Sequence, residues 1–182
     1  TTVLDRADTS GQVEALKAAA AVINLEGKSI AAGIWTKKLK REIVASRKDS
    51  VAHLAAIVTL AANPNLAVLQ ASATGYYGDR GGDILAENAD PGSGFLADTC
   101  VEWETAALKA FKKDQLDIFR NGPVLSNRAG VFTVWRRAFR AFMGGRFGKG
   151  EQYFSWIHEH DMANLLVYYA EHFSQGTINA RS

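Results

Sequence analysis

Ala21-Val22-Ile23-Asn24-Leu25, closed by Glu26-Gly27, is the stretch whose reading decides the fold. Four of its five residues are apolar, and the run is too short for a helix. It does not alternate between apolar and polar, as a strand with one wet face would. A short continuous apolar run of this kind marks a strand buried on both faces, which is the habit of parallel sheets. Gly27 then allows the backbone to turn sharply.

Working outward, similar runs recur at helix-length intervals. Leu66 to Leu69 reads as a second buried strand and Leu116-Asp117-Ile118-Phe119 as a third. Gly176-Thr177-Ile178-Asn179 reads as a last one, and Ser155-Trp156-Ile157 as a short extended piece. Thr2 to Leu4 is a further strand candidate ahead of them.

The intervals carry helical periodicity. Asp8-Thr9-Ser10 supplies capping residues for a helix running to about Ala19. Thr36 caps a long helix to about Ala62, in which Leu39, Ile43, Val44, Val51, Leu54, Ile57 and Val58 recur on one face. Asn63-Pro64-Asn65 stops it. Helices are also expected over about 95–113, 131–143 and 161–173. Gly144-Gly145 ends the second of these. Alternating strands and helices mean βαβ units. The expected fold is therefore an α/β, three-layer, doubly wound Rossmann-type sandwich around a mostly parallel sheet, with residues 1–182 forming one domain.

Composition narrows the function classes. With 182 residues the chain is long enough for a sizeable core. A net charge of +2 gives no reason to expect nucleic-acid binding. One cysteine, Cys100, excludes an intrachain disulfide and fits a reducing compartment. The expected location is therefore the cytoplasm, or the mitochondrial matrix or another organelle interior in a eukaryote. No apolar run has the length of a membrane span. The chain opens on Thr1 without Met, and segments of a longer protein are expected at both ends.

In a parallel sheet ligands bind at the carboxyl ends of the strands. Three informative segments fall at such ends: Asn24-Leu25-Glu26-Gly27, Ala71-Ser72-Ala73-Thr74-Gly75-Tyr76-Tyr77-Gly78 and Arg120-Asn121-Gly122-Pro123. The intervening loop, Ser72 to Ser93, is long, and loops of that length in a compact domain are usually functional.

These segments resemble the extended branch of the short-chain dehydrogenase/reductase superfamily. Ser72-Ala73-Thr74-Gly75-Tyr76-Tyr77-Gly78 is similar to its serine-rich segment, and Ile157-His158-Glu159-His160-Asp161-Met162-Ala163 to its Ile-His-x-x-Asp signature. Asp5-Arg6-Ala7-Asp8 resembles its Asp-x-x-Asp, and Asn24-Leu25-Glu26-Gly27 its Leu-Ala-Gly turn. Within that branch the chain looks most like an atypical subfamily of nucleoside-diphosphate-sugar-epimerase-like proteins. Trp35, Ser46-Arg47, Phe95-Leu96, Trp103-Glu104 and Phe154-Ser155-Trp156 add to the pattern.

The resemblance implies NAD or NADP as cofactor, with Asp5, Leu25, Gly27, Ser72 and Asn121 lining its cleft. It also implies a nucleotide-sugar-like or other small substrate. By the same comparison the glycine-rich phosphate loop with its first βαβ unit, and the C-terminal substrate helices, lie outside this chain.

The superfamily's acid/base tyrosine and its lysine four residues on correspond to Leu96 and Cys100, aligned on Glu104. Leucine has no titratable proton and a thiol is not a standing cation, so the usual mechanism does not carry over. Arg47 takes the place of the helix asparagine. Ser72 and Tyr77 are the catalytic candidates that remain, and Thr74, Tyr76, Arg140 and His158 the candidate substrate contacts.

Each candidate also has a structural reading. Ser72 can be a turn residue. One of Tyr76 and Tyr77 is expected to be a packed aromatic with a satisfied hydroxyl. His158 can act as acid or base or be structural, and Asp161 can cap the helix at that point. The basic stretch Arg136, Arg137, Arg140, Arg146, Lys149 can clamp a diphosphate, meet a protein partner or simply be solvated. No metal site is expected.

Two functions follow. One is an epimerase or reductase-like protein with unusual chemistry. The other is an inactive Rossmann-type subunit of a larger assembly, a pseudoenzyme. Glu26, in place of the small residue of the Leu-Ala-Gly turn, and Glu151, where relatives carry arginine, favour the second.

Overall fold

The structure is a computed structural model that describes residues 2–128, 130–146 and 148–181. Four strands form one fully parallel sheet. They are β1 (Ala21–Asn24), β2 (Ala67–Ala73), β3 (Leu116–Asn121) and β6 (Thr177–Ala180), in the order β1-β2-β3-β6. A separate two-stranded parallel pair joins β4 (Val124–Leu125) to β5 (Ile157–His158). The helices are α1 (Thr9–Lys17), α2 (Lys37–Ala61), α3 (Phe95–Ala110), α4 (Val131–Arg140) and α5 (Glu159–Glu171). This is the expected α/β, Rossmann-type architecture around a parallel sheet.

The pleat explains the layers. Successive strand residues point to opposite faces. Val22, Val68, Leu116 and Ile118 pack with Val51, Leu54 and Ile57 of α2 and Trp103 and Ala107 of α3. Ala67, Leu69 and Phe119 pack on the opposite side with Met162 and Leu166 of α5. Both faces of β2 and β3 are thus covered, which is why their sequences read as continuous apolar runs.

Helix limits follow local chemistry. The Asp8 carboxylate accepts from the Gly11 N–H and caps α1. The Thr36 hydroxyl accepts from the Leu39 N–H and caps α2. At the other end Ala62 sits in the left-handed region, φ 50°, and Pro64 follows.

Two expectations need correction. Thr2 to Leu4 is not a strand. A strand requires a ladder partner, and β1 forms its ladder with β2 alone among the described residues; Leu4 instead packs against the α2–α3 side of the core. Asp161 does not cap α5. The cap is His158, whose Nδ1 accepts from the His160 N–H at 3.3 Å, and Asp161 lies in the first turn. Among the described residues no helix is long and apolar enough to cross a membrane.

Candidate functional site

A cleft of about 1020 Å³ opens at the carboxyl ends of β2 and β3. Its walls come from the ends of both strands, the segment 78–85, the first two turns of α3, Ile30 and Trp35 ahead of α2, and residues 152–155. The lining is largely apolar, with Leu96, Cys100 and Trp103 along one helix face, and carries a few polar groups. This is the usual make-up of a small-molecule site.

Strand parity places the site's foundation. Val68, Gln70 and Ser72 look toward α2 and α3, and Ser72 is paired in register with Arg120 of β3. The Ser72 hydroxyl donates to Glu104 Oε1 at 2.6 Å. Arg120 Nε donates to the same oxygen at 2.9 Å and Nη2 to Glu104 Oε2 at 2.8 Å, a bidentate pair with side chains 5% and 7% exposed. Burial works against the charge of Arg120, but the hydrogen bonds it donates to Glu104 and Tyr77 outweigh it, and its pKa is raised.

Arg120 also pins the loop above it. Nη1 donates to the Tyr77 hydroxyl at 2.9 Å and to the Glu87 carbonyl at 3.0 Å, while the guanidinium lies 3.4 Å from the centre of the Tyr76 ring. The Tyr77 hydroxyl in turn donates to Asn179 Oδ1 at 2.6 Å, and the Asn179 N–H donates to Glu87 Oε1 at 3.0 Å. The loop closes where the Gly92 N–H donates to the Tyr76 carbonyl; a Cβ on Gly92 would stand 2.1 Å from the Tyr77 carbonyl oxygen.

The candidate residues separate into two groups. Ser72, Thr74, Tyr77 and Asn121 line the cleft. Asp5, Leu25, Gly27, Tyr76, Arg140 and His158 are not among its lining residues. Leu25 is 58% exposed at the edge of the sheet, Asp5 accepts from the Ala7 N–H, and the open side of Gly27 is filled by Arg47. A Cβ at position 27 would lie 3.4 Å from Arg47 Cγ.

Glu26, the acidic departure in the turn, forms an ion pair with Arg6. Arg140 is exposed on α4, and His158 is exposed at the start of α5. Among the described residues no group of three or more His, Cys, Asp or Glu side chains is placed to hold a metal ion.

Leu96 and Cys100 lie one helical turn apart on the cleft face of α3, close to Gly75; a Cβ there would be 3.5 Å from Leu96 Cβ and 3.9 Å from Cys100 Sγ. Burial, and then the nearby Glu104, push the Cys100 thiol up to about 11. It is a neutral thiol at neutral pH.

Sequence reading left two parts of this site unassigned. Arg120 stands in the middle of a buried strand, and an arginine there requires an acid partner. That signal, together with Glu104 on the adjoining helix, was available. Trp103 is different: its Nε1 atom is buried without a hydrogen-bond partner, and only packing reveals this.

One glycine pattern is misleading. Gly75, Gly78 and Gly81 have the Gly-x-x-Gly-x-x-Gly spacing and follow a strand, but they run through a 3₁₀ turn (Thr74–Tyr77) into a loop. A phosphate loop needs the N-terminus of a helix behind it, which this segment lacks.

No protein-family model matches the chain. It is 35% identical over 163 residues to an epimerase family protein of the SDR39U1 type from Arabidopsis thaliana, covering 88% of this chain and 46% of that protein. It is 38% identical over 149 residues to an epimerase family protein of Mycobacterium tuberculosis, covering 81% and 49%. The chain thus spans about half the length of the curated relatives it matches.

Among solved structures, human epimerase family protein SDR39U1 with NADPH superposes with a TM-score of 0.80 at 26% identity, over 93% of this chain and 60% of that one. A nucleoside-diphosphate sugar epimerase from Corynebacterium glutamicum gives 0.73 at 32% identity, over 93% and 36%. The UDP-glucuronic acid 4-epimerase of Bacillus cereus with NAD gives 0.75 at 18% identity, a likeness of fold alone. The short segments that resemble the atypical extended dehydrogenase/reductase pattern are therefore accompanied by identity and superposition along most of the chain, and the chain belongs to the epimerase family.

Proposed function

We propose that this chain forms the nicotinamide-side and substrate-side part of an NAD(P)-binding epimerase or reductase-like protein. It would act on a nucleotide-sugar-like or other small substrate without tyrosine-lysine chemistry. The observation that carries this reading is the cleft at the carboxyl ends of β2 and β3, with Ser72, Thr74 and Asn121 on its wall and Leu96 and Cys100 where the tyrosine and lysine would stand. The NADPH held by the human relative supports a dinucleotide here.

Fit to the cofactor is one-sided. Asn121 lines a cleft of suitable size and its buried Oδ1 has no partner, an acceptor of the kind that an amide N–H such as that of a carboxamide would satisfy. On the adenosine side Glu26 is neutralised by Arg6, which removes much of the repulsion its carboxylate would exert on a pyrophosphate. When bound, the dinucleotide supplies hydride transfer; this chain's residues position the reacting groups. Ser72 keeps an oxygen lone pair for substrate or for the Cys100 thiol, while its proton is committed to Glu104. Tyr77, with its hydroxyl both donating and accepting, is a positioning residue for the loop.

Titration of the full-length protein with NADPH and NADH, read by energy transfer from tryptophan to the nicotinamide, tests the reading. Binding that weakens on Asn121→Ala is expected. Absence of binding by either dinucleotide would overturn it and favour the inactive structural subunit.

A further inference from the structure

Arg47 projects from α2 against Gly27 and into the cleft. Its Nη1 donates to two carbonyls, those of Lys28 at 3.1 Å and Ile43 at 2.9 Å. Neither carries a charge. Among the described residues Arg47 has no carboxylate partner, and nearby carboxylates are taken by other cations: Glu42 by Lys28 and Lys38, Glu102 by Lys48, Glu104 by Arg120. Burial lowers its pKa, which reflects the cost of holding an uncompensated charge there.

Its guanidinium carbon lies 4.9 Å from the centre of the Trp103 ring. Trp103 is 6% exposed, lines the same cleft and leaves its Nε1–H without an acceptor. A half-buried cation without a counter-charge is unfavourable, and a ligand that supplies the charge relieves it. Arg47 is thus a cation on the wall of a cleft without its counter-charge, packed over the face of a Trp103 ring whose own Nε1 is buried.

We infer that Arg47, packed over the Trp103 ring, forms a subsite for an anionic oxygen of the ligand, either a carboxylate or a phosphate oxygen. The inference rests on the proposed function only in taking the cleft as ligand-bearing. It assigns the positive charge of the site to α2, since Leu96 and Cys100 supply none from α3. It also accounts for Gly27, because any residue with a branched side chain there would displace the guanidinium, which a Cβ already meets at 3.5 to 3.6 Å.

The test uses the Trp103 indole N–H resonance of the protein, identified by its loss in Trp103→Phe. Sodium malonate and inorganic phosphate are titrated separately, with sodium chloride at matched ionic strength as control. A saturable shift with one or both anions and none with chloride is expected. Malonate alone identifies a carboxylate, phosphate alone a phosphate oxygen. Arg47→Lys should retain the shift with weakened affinity, and Arg47→Gln should weaken it about tenfold or more.

A resonance unmoved by both anions, moved equally by chloride, or moved identically in Arg47→Gln overturns the subsite. The titration of unaltered protein suffices if Arg47→Gln does not fold. NADPH is titrated in parallel by nicotinamide fluorescence. Loss of NADPH binding with the anion shift intact would fall on the dinucleotide reading alone; NADPH binding with no anion shift would fall on the subsite alone.

Discussion

Glu104 and Arg120 form a buried bidentate ion pair, with Arg120 Nη2 2.8 Å from Glu104 Oε2 and Nε 2.9 Å from Oε1. It bonds α3 to β3 directly below the cleft. Glu104→Gln keeps the shape but removes the counter-charge of a guanidinium that is almost wholly buried. A loss of about 3–5 kcal/mol in urea-monitored stability is expected. The double change Glu104→Gln with Arg120→Met should cost clearly less than the sum of the single changes, because no charge then stays buried alone.

Tyr77→Phe removes the hydroxyl that joins Arg120 to Asn179. A loss of about 1–2 kcal/mol is expected, with faster hydrogen exchange in the loop that follows. If Tyr77 were instead an acid/base, the change would abolish turnover with stability intact. Stability and activity measured on the same sample distinguish the two outcomes.

Gly92→Ala sets a methyl group against the Tyr77 carbonyl oxygen, where a Cβ would be 2.1 Å away. The loop must open to admit it, and a loss of about 1–3 kcal/mol with increased proteolysis between residues 79 and 91 is expected. Gly145→Ala, where a Cβ meets nothing within 4 Å, is the matched control and should lie within about 0.5 kcal/mol of the parent.

The Cys100 thiol, raised from 9.0 to about 11 by burial and then by Glu104, makes two pH predictions. At pH 8 its thiolate fraction is about 100-fold below that of an unperturbed thiol, so alkylation by iodoacetamide should be slow and should rise with pH toward 11. Because the folded value lies above the unfolded one, the contribution to stability is fully present below pH 9.0 and is lost as pH rises through about 11. Cys100→Ala should flatten that decline. An alkylation profile with its midpoint near 8.5 would contradict both.

What the sequence by itself determined is what short-range chemistry controls. The apolar runs at 21–25, 66–69 and 116–119 encode strands because a central parallel strand must be apolar on both faces. Thr36 and Asn63-Pro64 bound α2 because caps and proline act within a turn of their own position. The segment at the end of β2 was legible as a cleft wall because parallel strands present their carboxyl ends on one side.

Tertiary structure alone decided the rest. Whether Thr2 to Leu4 pairs depends on a neighbour that no local pattern names. Whether Asp5, Leu25 and Gly27 share the cleft of Ser72 depends on Arg47, which reaches from α2 into the space at Gly27. Ser72 is half spoken for because the β2–β3 register sets it beside Arg120 and the α3 packing sets Glu104 over both. The unpartnered donor of Trp103 exists only once its surroundings are assembled. Hydrogen-bond satisfaction and burial are properties of groups distant in the chain, and a sequence states them only after it has folded.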